Sequence, residues 1–317
     1  MKKEKKENGF RTEWKKRRKT FIKNGELSLL ALPTIIWVVI FSYIPMFSII
    51  LAFKDYNSMK GVFGSEWNGL DNFKFLFSSN DAAIIIRNTV LYNLAFVILA
   101  TAISIIIALL LETITKKFFI KLYQTVLMLP HFVSWVVVGF VMMGLFNYEN
   151  GVANNLISAL GGDKAMWYST TKPWPYIITS SYLWKQVGYQ ALFYYGAILA
   201  IDDSLYEAGK IDGANKIQEI FYITLPMMRT TICTLLIVSI GSMMRGDFGL
   251  FYYVPNNMGS LYQVTDVIDT YIYRMMRVVG NVGVSSAVTL FQSVVGFILV
   301  LVSNAVIKKL DSDSAMF

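Results

Sequence analysis

The sequence predicts an all-α integral membrane protein with six transmembrane helices and both termini cytoplasmic. Three observations carry that expectation. Of 317 residues, 55% are apolar and 16% charged, against about 45–50% and about 25% in a typical soluble domain. The mean hydropathy is +0.49, and the apolar excess is gathered into runs of about 20 residues, what a helix needs to cross ~30 Å of hydrocarbon. Basic residues then alternate from one loop to the next, as the positive-inside rule requires. An ordinary soluble enzyme and a disordered chain are both excluded.

The first span runs from about Leu27 to Phe53, with a kink or an early end at Pro45. The second covers about Thr89 to Leu111, and the third about Tyr123 to Phe146 with Pro130 and His131 inside it. The fourth, about Tyr176 to Ala200, is interrupted by Trp184-Lys185-Gln186 and Gly188. The fifth covers about Met227 to Met244 and the sixth about Val284 to Ile307.

Nineteen Lys and Arg fall on one side of these spans, eleven of them in residues 1–26. Nine fall in the three other loops, and Lys185 lies within the fourth span. The chain therefore divides into a basic cytoplasmic arm at 1–26, a permease-like membrane domain at 27–307 and a cytoplasmic tail at 308–317. The arm reads as a topology signal near anionic lipid. It does not read as a cleavable signal peptide, because its basic region is long and no A-x-A site follows the apolar stretch. Outer loops at about 54–88, 147–175 and 245–283 are too short for domains but long enough to form a platform for an outside partner.

Cys233 is the only cysteine and His131 the only histidine. No intrachain disulfide, Cys-rich zinc site or clustered metal centre can be built from them. No catalytic residues and no metal ligands are expected, and with the basic residues arranged around spans, nucleic acid is not an expected partner.

The cytoplasmic loop at 201–226 is too polar to span and too patterned to be a linker. Ser204 and Glu207 have capping-box spacing, so a short helix is expected to start there. Gly213 suits the left-handed position at its end. Asn215 with Gln218 marks a second start, and Ile217, Ile220, Phe221 and by extension Leu225 form an apolar stripe. Pro226 disfavours helical geometry at Leu225 and is expected to end the unit. With five acids and two bases, the loop matches a protein groove better than anionic headgroups.

Glu207, Ala208, Gly213, Ile223, Leu225 and Pro226 fall without a gap on the E-A-A-x3-G-x9-I-x-L-P pattern of binding-protein-dependent ABC importer permeases, which this segment resembles. Gly209 replaces the second Ala, and Asp212-Gly213-Ala214 resembles the D-G-A version of sugar permeases. Trp67 to Phe73, Asn88-Thr89, Leu129 to Trp135 and Trp184 to Tyr189 extend the likeness. The chain is similar to the maltose-transporter permease superfamily, in its LplB-like carbohydrate branch.

The resemblance implies a type I ABC importer permease in the cell membrane. It implies a cytoplasmic ATPase dimer that binds ATP and Mg, a second related permease subunit as a heterodimer partner, and an extracytoplasmic solute-binding protein. Glu207 would pair with a basic residue of the ATPase, Gly213 would make the turn, and Leu225-Pro226 would tie the loop to span five. This chain has no G-x-x-x-x-G-K-[ST] phosphate loop and so needs a separate ATPase.

Lys185 stands out because an ammonium in hydrocarbon costs about 2.5–3.5 kcal/mol on insertion scales. Trp184, Gln186, Tyr189 and Gln190 surround it with the aromatic faces and amides that suit a carbohydrate, an oligosaccharide or polysaccharide fragment. Two readings of Lys185 stand: a group on the solute path, or a cation that snorkels beneath an interfacial belt of tyrosines. His131 is expected to be a satisfied interior group. Gln292 and Ser134 are weaker path candidates, and Arg245 and Asp247 are expected to pair at the outer end of span five. A permease for a non-sugar solute stays open, as does a stand-alone secondary transporter, although no carboxylate lies clearly mid-span to couple one. A membrane enzyme lacks the paired carboxylates it would need.

The predicted orientation has a direct check. Glu4→Cys and Asp313→Cys, each in a Cys233→Ser background, should react with an impermeant maleimide in inverted vesicles and stay unreacted in intact cells. Labelling of either in intact cells would reverse that terminus.

Overall fold

A computed structural model describes residues 25–310. Most of the expected arm and residues 311–317 of the tail lie outside the described residues. The fold is helical, with one two-residue antiparallel ladder, β1 (Lys54–Asp55) against β2 (Glu66–Trp67). The first helix, α1 (Gly25–Val38), continues through a π turn at Val39–Tyr43 and a helical Ile44–Met46 into a 3-10 stretch ending at Phe53. Then come α2 (Asp71–Ser78), α3 (Asn80–Glu112), α4 (Lys117–Phe132), α5 (Trp135–Phe146), α6 (Val152–Ala159) and α7 (Trp174–Leu199). The second half holds α8 (Asp203–Ile211), α9 (Lys216–Glu219), α10 (Arg229–Gly241), α11 (Phe248–Tyr253), α12 (Ile268–Arg274) and α13 (Val282–Leu310).

Among the described residues three helices are long and apolar enough to cross a membrane: Leu29–Phe53, Asn80–Glu112 and Val282–Val306. Two bent pairs raise the number to as many as 5. The expected third span is one of these pairs, because α4 and α5 meet at 90°. Val133 and Ser134 are extended there, and the Ser134 hydroxyl starts α5 by accepting from the Val137 N–H at 3.3 Å. The bend therefore sits three residues beyond Pro130, which stays inside α4. The expected fourth span is the unbroken 26-residue helix α7. Its lysine, glutamines and tyrosines keep it out of the apolar set, and the reason is its interior position against α3.

The α3–α7 contact is built on small side chains. Ala100, Ser104 and Ala108 repeat at four-residue spacing and are buried, which brings the two backbones close. Ser104 Oγ donates to the Val187 carbonyl at 3.0 Å. Between α7 and α4 the approach is closer still. A Cβ on Gly188 would overlap the carbonyl of Leu127.

Apolar clusters mark the two ends of α3. Ala108, Leu111, Tyr194, Ile198, Ile201 and Met228 gather at the 201–228 end. Leu76, Ala82, Ile85, Ile268, Tyr271 and Val284 gather at the opposite end. There the expected outer loops contain short helices. Asn88 donates from Nδ2 to the carbonyls of Gln263 and Asp266, and Thr89 Oγ1 accepts from the Ile268 N–H at 3.0 Å. Asn72 likewise holds the carbonyls of Ala52 and Lys54.

Pro226 does not end its helix. Leu225 keeps helical angles (φ −63°, ψ −43°). The turn before it, Ile220–Thr224, is a π turn in which the Leu225 N–H reaches back five residues to the Ile220 carbonyl. A proline ring collides with the carbonyl four residues back and leaves it without a donor. Widening the turn relieves both problems. The same device stands before Pro45, where the Ile44 N–H reaches the Val39 carbonyl. The 59° bend follows at Met228, between 216–227 and α10.

The α7–α4 crossing gives a stability test. Gly188→Ala forces a methyl onto a backbone carbonyl and should cost about 1–3 kcal/mol. Gly196→Ala, on the same helix with open space around it, should gain up to about 1 kcal/mol. Thermal midpoints of the two variants in detergent should move in opposite directions.

Candidate functional site

The 201–228 segment is a helix–turn–helix with each end chemically sealed. Asp202, not Ser204, caps α8: its Oδ1 accepts the Ser204 N–H at 2.9 Å. That bond from the backbone holds the Asp202 carboxyl below its ordinary range. A carboxylate two positions earlier also suits the positive end of the helix better than a hydroxyl. Glu207 is thereby left out of a capping box. It is exposed, with no hydrogen bond or ion pair among the described residues.

α8 ends as the glycine spacing predicts. Gly213 has φ +80°. The Gly213 N–H donates to the Lys210 carbonyl at 3.1 Å and the Ala214 N–H to the Gly209 carbonyl at 2.9 Å, the paired bonds of a Schellman ending. α9 then opens with a complete capping box. Asn215 Oδ1 accepts the Gln218 N–H at 2.9 Å, and Gln218 Oε1 accepts the Asn215 N–H at 2.8 Å. Lys216 pairs with the buried Glu219 at 2.8 Å. The hydroxyls of Tyr206 and Thr224, 3.0 Å apart, join the two arms.

Between the arms lies a concavity of about 420 Å³. Ala208, Gly209, Asp212, Gly213, Ala214 and Ile223, all picked from the sequence pattern, line it together with Leu205, Gln218 and Tyr222. Gly209 fits this place, since a Cβ there would meet Ile223 Cδ1 at 3.0 Å. Exposed apolar groups surround the concavity: Ile211 is 86% exposed, Tyr222 78%, Ile217 67% and Phe221 63%. Such a patch next to a shaped recess marks an interaction surface. The expected stripe of Ile217, Ile220, Phe221 and Leu225 is only partly an exposed stripe, because Ile220 and Leu225 turn half inward. Pro226 lies exposed beyond the concavity, at the root of α10.

The second group of residues picked from the sequence sits on α7 and divides between two faces. Gln186 Oε1 lies 3.1 Å from His131 Nδ1. His131 stacks on Tyr189 with ring centroids 4.2 Å apart and planes 8° from parallel. Gln190 is half-buried on the same side, with no hydrogen bond among the described residues. Trp184 faces elsewhere. It lines an apolar groove of about 400 Å³ with Ile103, Ile107, Val126 and Pro130.

Lys185 is 7% exposed, and its ammonium donates to the carbonyls of His131, at 2.7 Å, and of Val133. It neither snorkels nor presents a free charge. His131 is satisfied, as expected. Gln292 ties α13 to the turn after α10 and to α12, since its Nε2 donates to the Met244 carbonyl at 2.8 Å and to Asp269 Oδ2 at 3.0 Å. Asp247 does not pair with Arg245. It accepts the Trp135 Nε1–H at 2.6 Å and caps α11 through the N–H groups of Gly249 and Leu250. That contact was missed from sequence, although a buried indole N–H needs an acceptor and few carboxylates were available to it. Among the described residues no three His, Cys, Asp or Glu side chains are grouped to hold a metal.

The family model of the binding-protein-dependent transport system inner membrane component matches residues 100–312. The chain belongs to that family. It is a multi-pass inner-membrane permease of a binding-protein-dependent ABC importer, and not an enzyme. It is 36% identical over 287 residues to protein LplB of Bacillus subtilis, covering 90% of each chain. It is 34% identical over 288 residues to the polygalacturonan/rhamnogalacturonan transport system permease protein YteP of the same organism, covering 91% of this chain and 89% of that one. A chain of the bacterial alginate ABC transporter, solved in complex with an alginate pentasaccharide-bound periplasmic protein, superposes with a TM-score of 0.83. It is 31% identical and covers 92% of this permease and 97% of that chain.

Two glycines in the permease's loop should respond differently. Gly213→Ala puts a side chain at φ +80° and should cost about 1–2 kcal/mol. Gly209→Ala displaces only the flexible end of Ile223, while alanine improves the helix by about 1 kcal/mol, so it should be neutral. Hydrogen exchange of the 203–219 amides should accelerate in the first variant and not in the second.

Proposed function

We propose that this chain is the membrane subunit of an ATP-driven importer of carbohydrate, taken up as an oligosaccharide or polysaccharide fragment. A cytoplasmic ATPase dimer, carrying ATP and Mg, docks on the 201–226 loop. A second, related permease completes the path, and an extracytoplasmic solute-binding protein delivers the solute. The observation that carries the docking assignment is the open concavity between the capped arms and its exposed apolar rim. A surface of that shape, with Glu207 unpaired beside it, suits a cleft that offers apolar contacts and a basic partner.

In this reading α7 is the remaining span, six are present in all, and both termini lie in the cytoplasm. Gln186, Tyr189 and Gln190 line the path with His131, and Trp184 stands at the adjoining groove. Amides and a flat stacked ring pair suit the hydroxyls and C–H faces of a sugar. Lys185 does not line that path: its ammonium is held behind it by the carbonyls of His131 and Val133. The substrate class rests on the relative named for polygalacturonan/rhamnogalacturonan transport and on the alginate transporter solved with an alginate pentasaccharide-bound protein. Closure of the ATPase dimer would displace α8 and α9 as a rigid unit and so alternate access along the path.

The test is recovery of tagged chain from its native membrane, wild type beside Glu207→Lys. Wild type should bring down a P-loop ATPase and a second permease with ATP hydrolysis, and the variant should lose most of the ATPase. A wild-type chain that emerges alone and transports in liposomes without ATP would overturn the proposal.

A further inference from the structure

Four elements meet around the Lys185 ammonium. Its two hydrogen-bond acceptors, the carbonyls of His131 and Val133, lie where α4 stops and the chain turns through 90°. Helix-terminal carbonyls carry partial negative charge and lack donors, so an ammonium is well matched to them. The ammonium also lies over the ring of Trp135, the first residue of α5, 5.2 Å from its centroid. The same indole donates Nε1–H to Asp247, whose other carboxylate oxygen starts α11. A cation on α7 is thus connected to an anion at α11 through one aromatic ring.

The packing beside this chain of contacts leaves no slack. A Cβ on Gly249 would overlap the Trp135 side chain, and one on Gly139 would lie 2.6 Å from the Tyr253 carbonyl. α5 and α11 therefore touch backbone to ring and backbone to backbone. α7 starts at Trp174 in the cluster that also buries Val138, Leu250 and Phe251. It ends at Leu199, two residues before Ile201 in the cluster at the loop end. One helix reaches from the 201–228 segment to the far end of the fold, and Lys185 is its charged contact with the elements there.

We propose that Lys185, Trp135 and Asp247 form a latch that makes α7, α5 and α11 one rigid body, so that displacement at the 201–228 segment is delivered to the far end. Lys185 is a positioning residue in this scheme and does not touch the solute. An aliphatic side chain would fill the space but would leave the two carbonyls without donors in an apolar interior. The elbow at 133–134 would then be free to pivot. The latch rests on the reading of 201–226 as the docking loop for its purpose, but not for its geometry.

The experiment uses the complex recovered with the tagged chain, in a Cys233→Ser background. Nitroxide labels are placed at the exposed Leu199 and Met258, one near each end of the proposed body. Pulsed electron–electron distances are measured with and without ATP and vanadate. The unaltered latch should give one narrow distance in both states. Lys185→Met and Trp135→Phe, the second of which removes the N–H to Asp247 and reduces the ring against Gly249, should broaden the distribution at least twofold. ATP hydrolysis should stay within about twofold of the unaltered complex, and Lys185→Arg should restore most of the narrow component. Narrow distances in both variants would overturn the latch. So would loss of hydrolysis and assembly in Trp135→Phe, which would mark a role in folding alone. Failure to recover an ATPase would defeat the docking assignment and leave the distance comparison to decide the latch by itself.

Discussion

The fold depends on how α4 is stopped against α7. Gly188 lets the α4 backbone approach the α7 backbone directly, and three residues away Lys185 takes the carbonyls that α4 leaves behind. Without the glycine the helices would stand apart and the ammonium would miss its acceptors. Without the ammonium the elbow would bury unpaired carbonyls, at a cost of about 1–3 kcal/mol each. Close approach and charge therefore solve one problem together: how to break a helix inside an apolar environment and keep the break fixed.

At the other end of α7 the problem is reversed. The 201–228 segment must present a shaped surface without being held by the interior on its outer side. It does so with local bonds: an aspartate cap, a left-handed glycine, a capping box and a hydroxyl pair between its arms. The first three satisfy helix-terminal groups, and the hydroxyl pair ties the arms together. The result is a preformed unit whose apolar rim stays in solvent. Preformation lowers the conformational cost of binding a partner.

How legible each feature was follows from the range of the interaction that makes it. The turn at Gly213 and the box at Asn215 and Gln218 depend on neighbours within five residues, and spacing revealed both. The spans of α3 and α13 follow from composition alone. The sequence places a single span over α4 and α5 with a kink at most beside Pro130, because the contacts that hold the right-angle elbow come from position 185 and Gly188, more than fifty residues away. Lys185 was recognised as costly, but its acceptors are backbone carbonyls, which no side-chain pattern can announce. Asp247 was assigned to a neighbour of opposite charge, whereas an indole 112 residues distant takes it. Pro226 was read as a stop because the rule for the residue before proline assumes an α turn. A π turn changes the premise.

That π turn has a consequence for register. A widened turn is one residue more than an α-helix of the same course requires, and each residue in a helix carries about 100° of rotation. The sequences VIFSYIPM and IFYITLPM each place five residues of π turn immediately before a helical X-Pro-Met. In both places the proline sets the number of residues as well as their conformation. Losing one residue from either turn would return the preceding helix to ordinary pitch and press the proline ring onto a carbonyl. It would also swing everything beyond onto a different face. Chain length at these two points is therefore as tightly specified as the identity of any buried side chain.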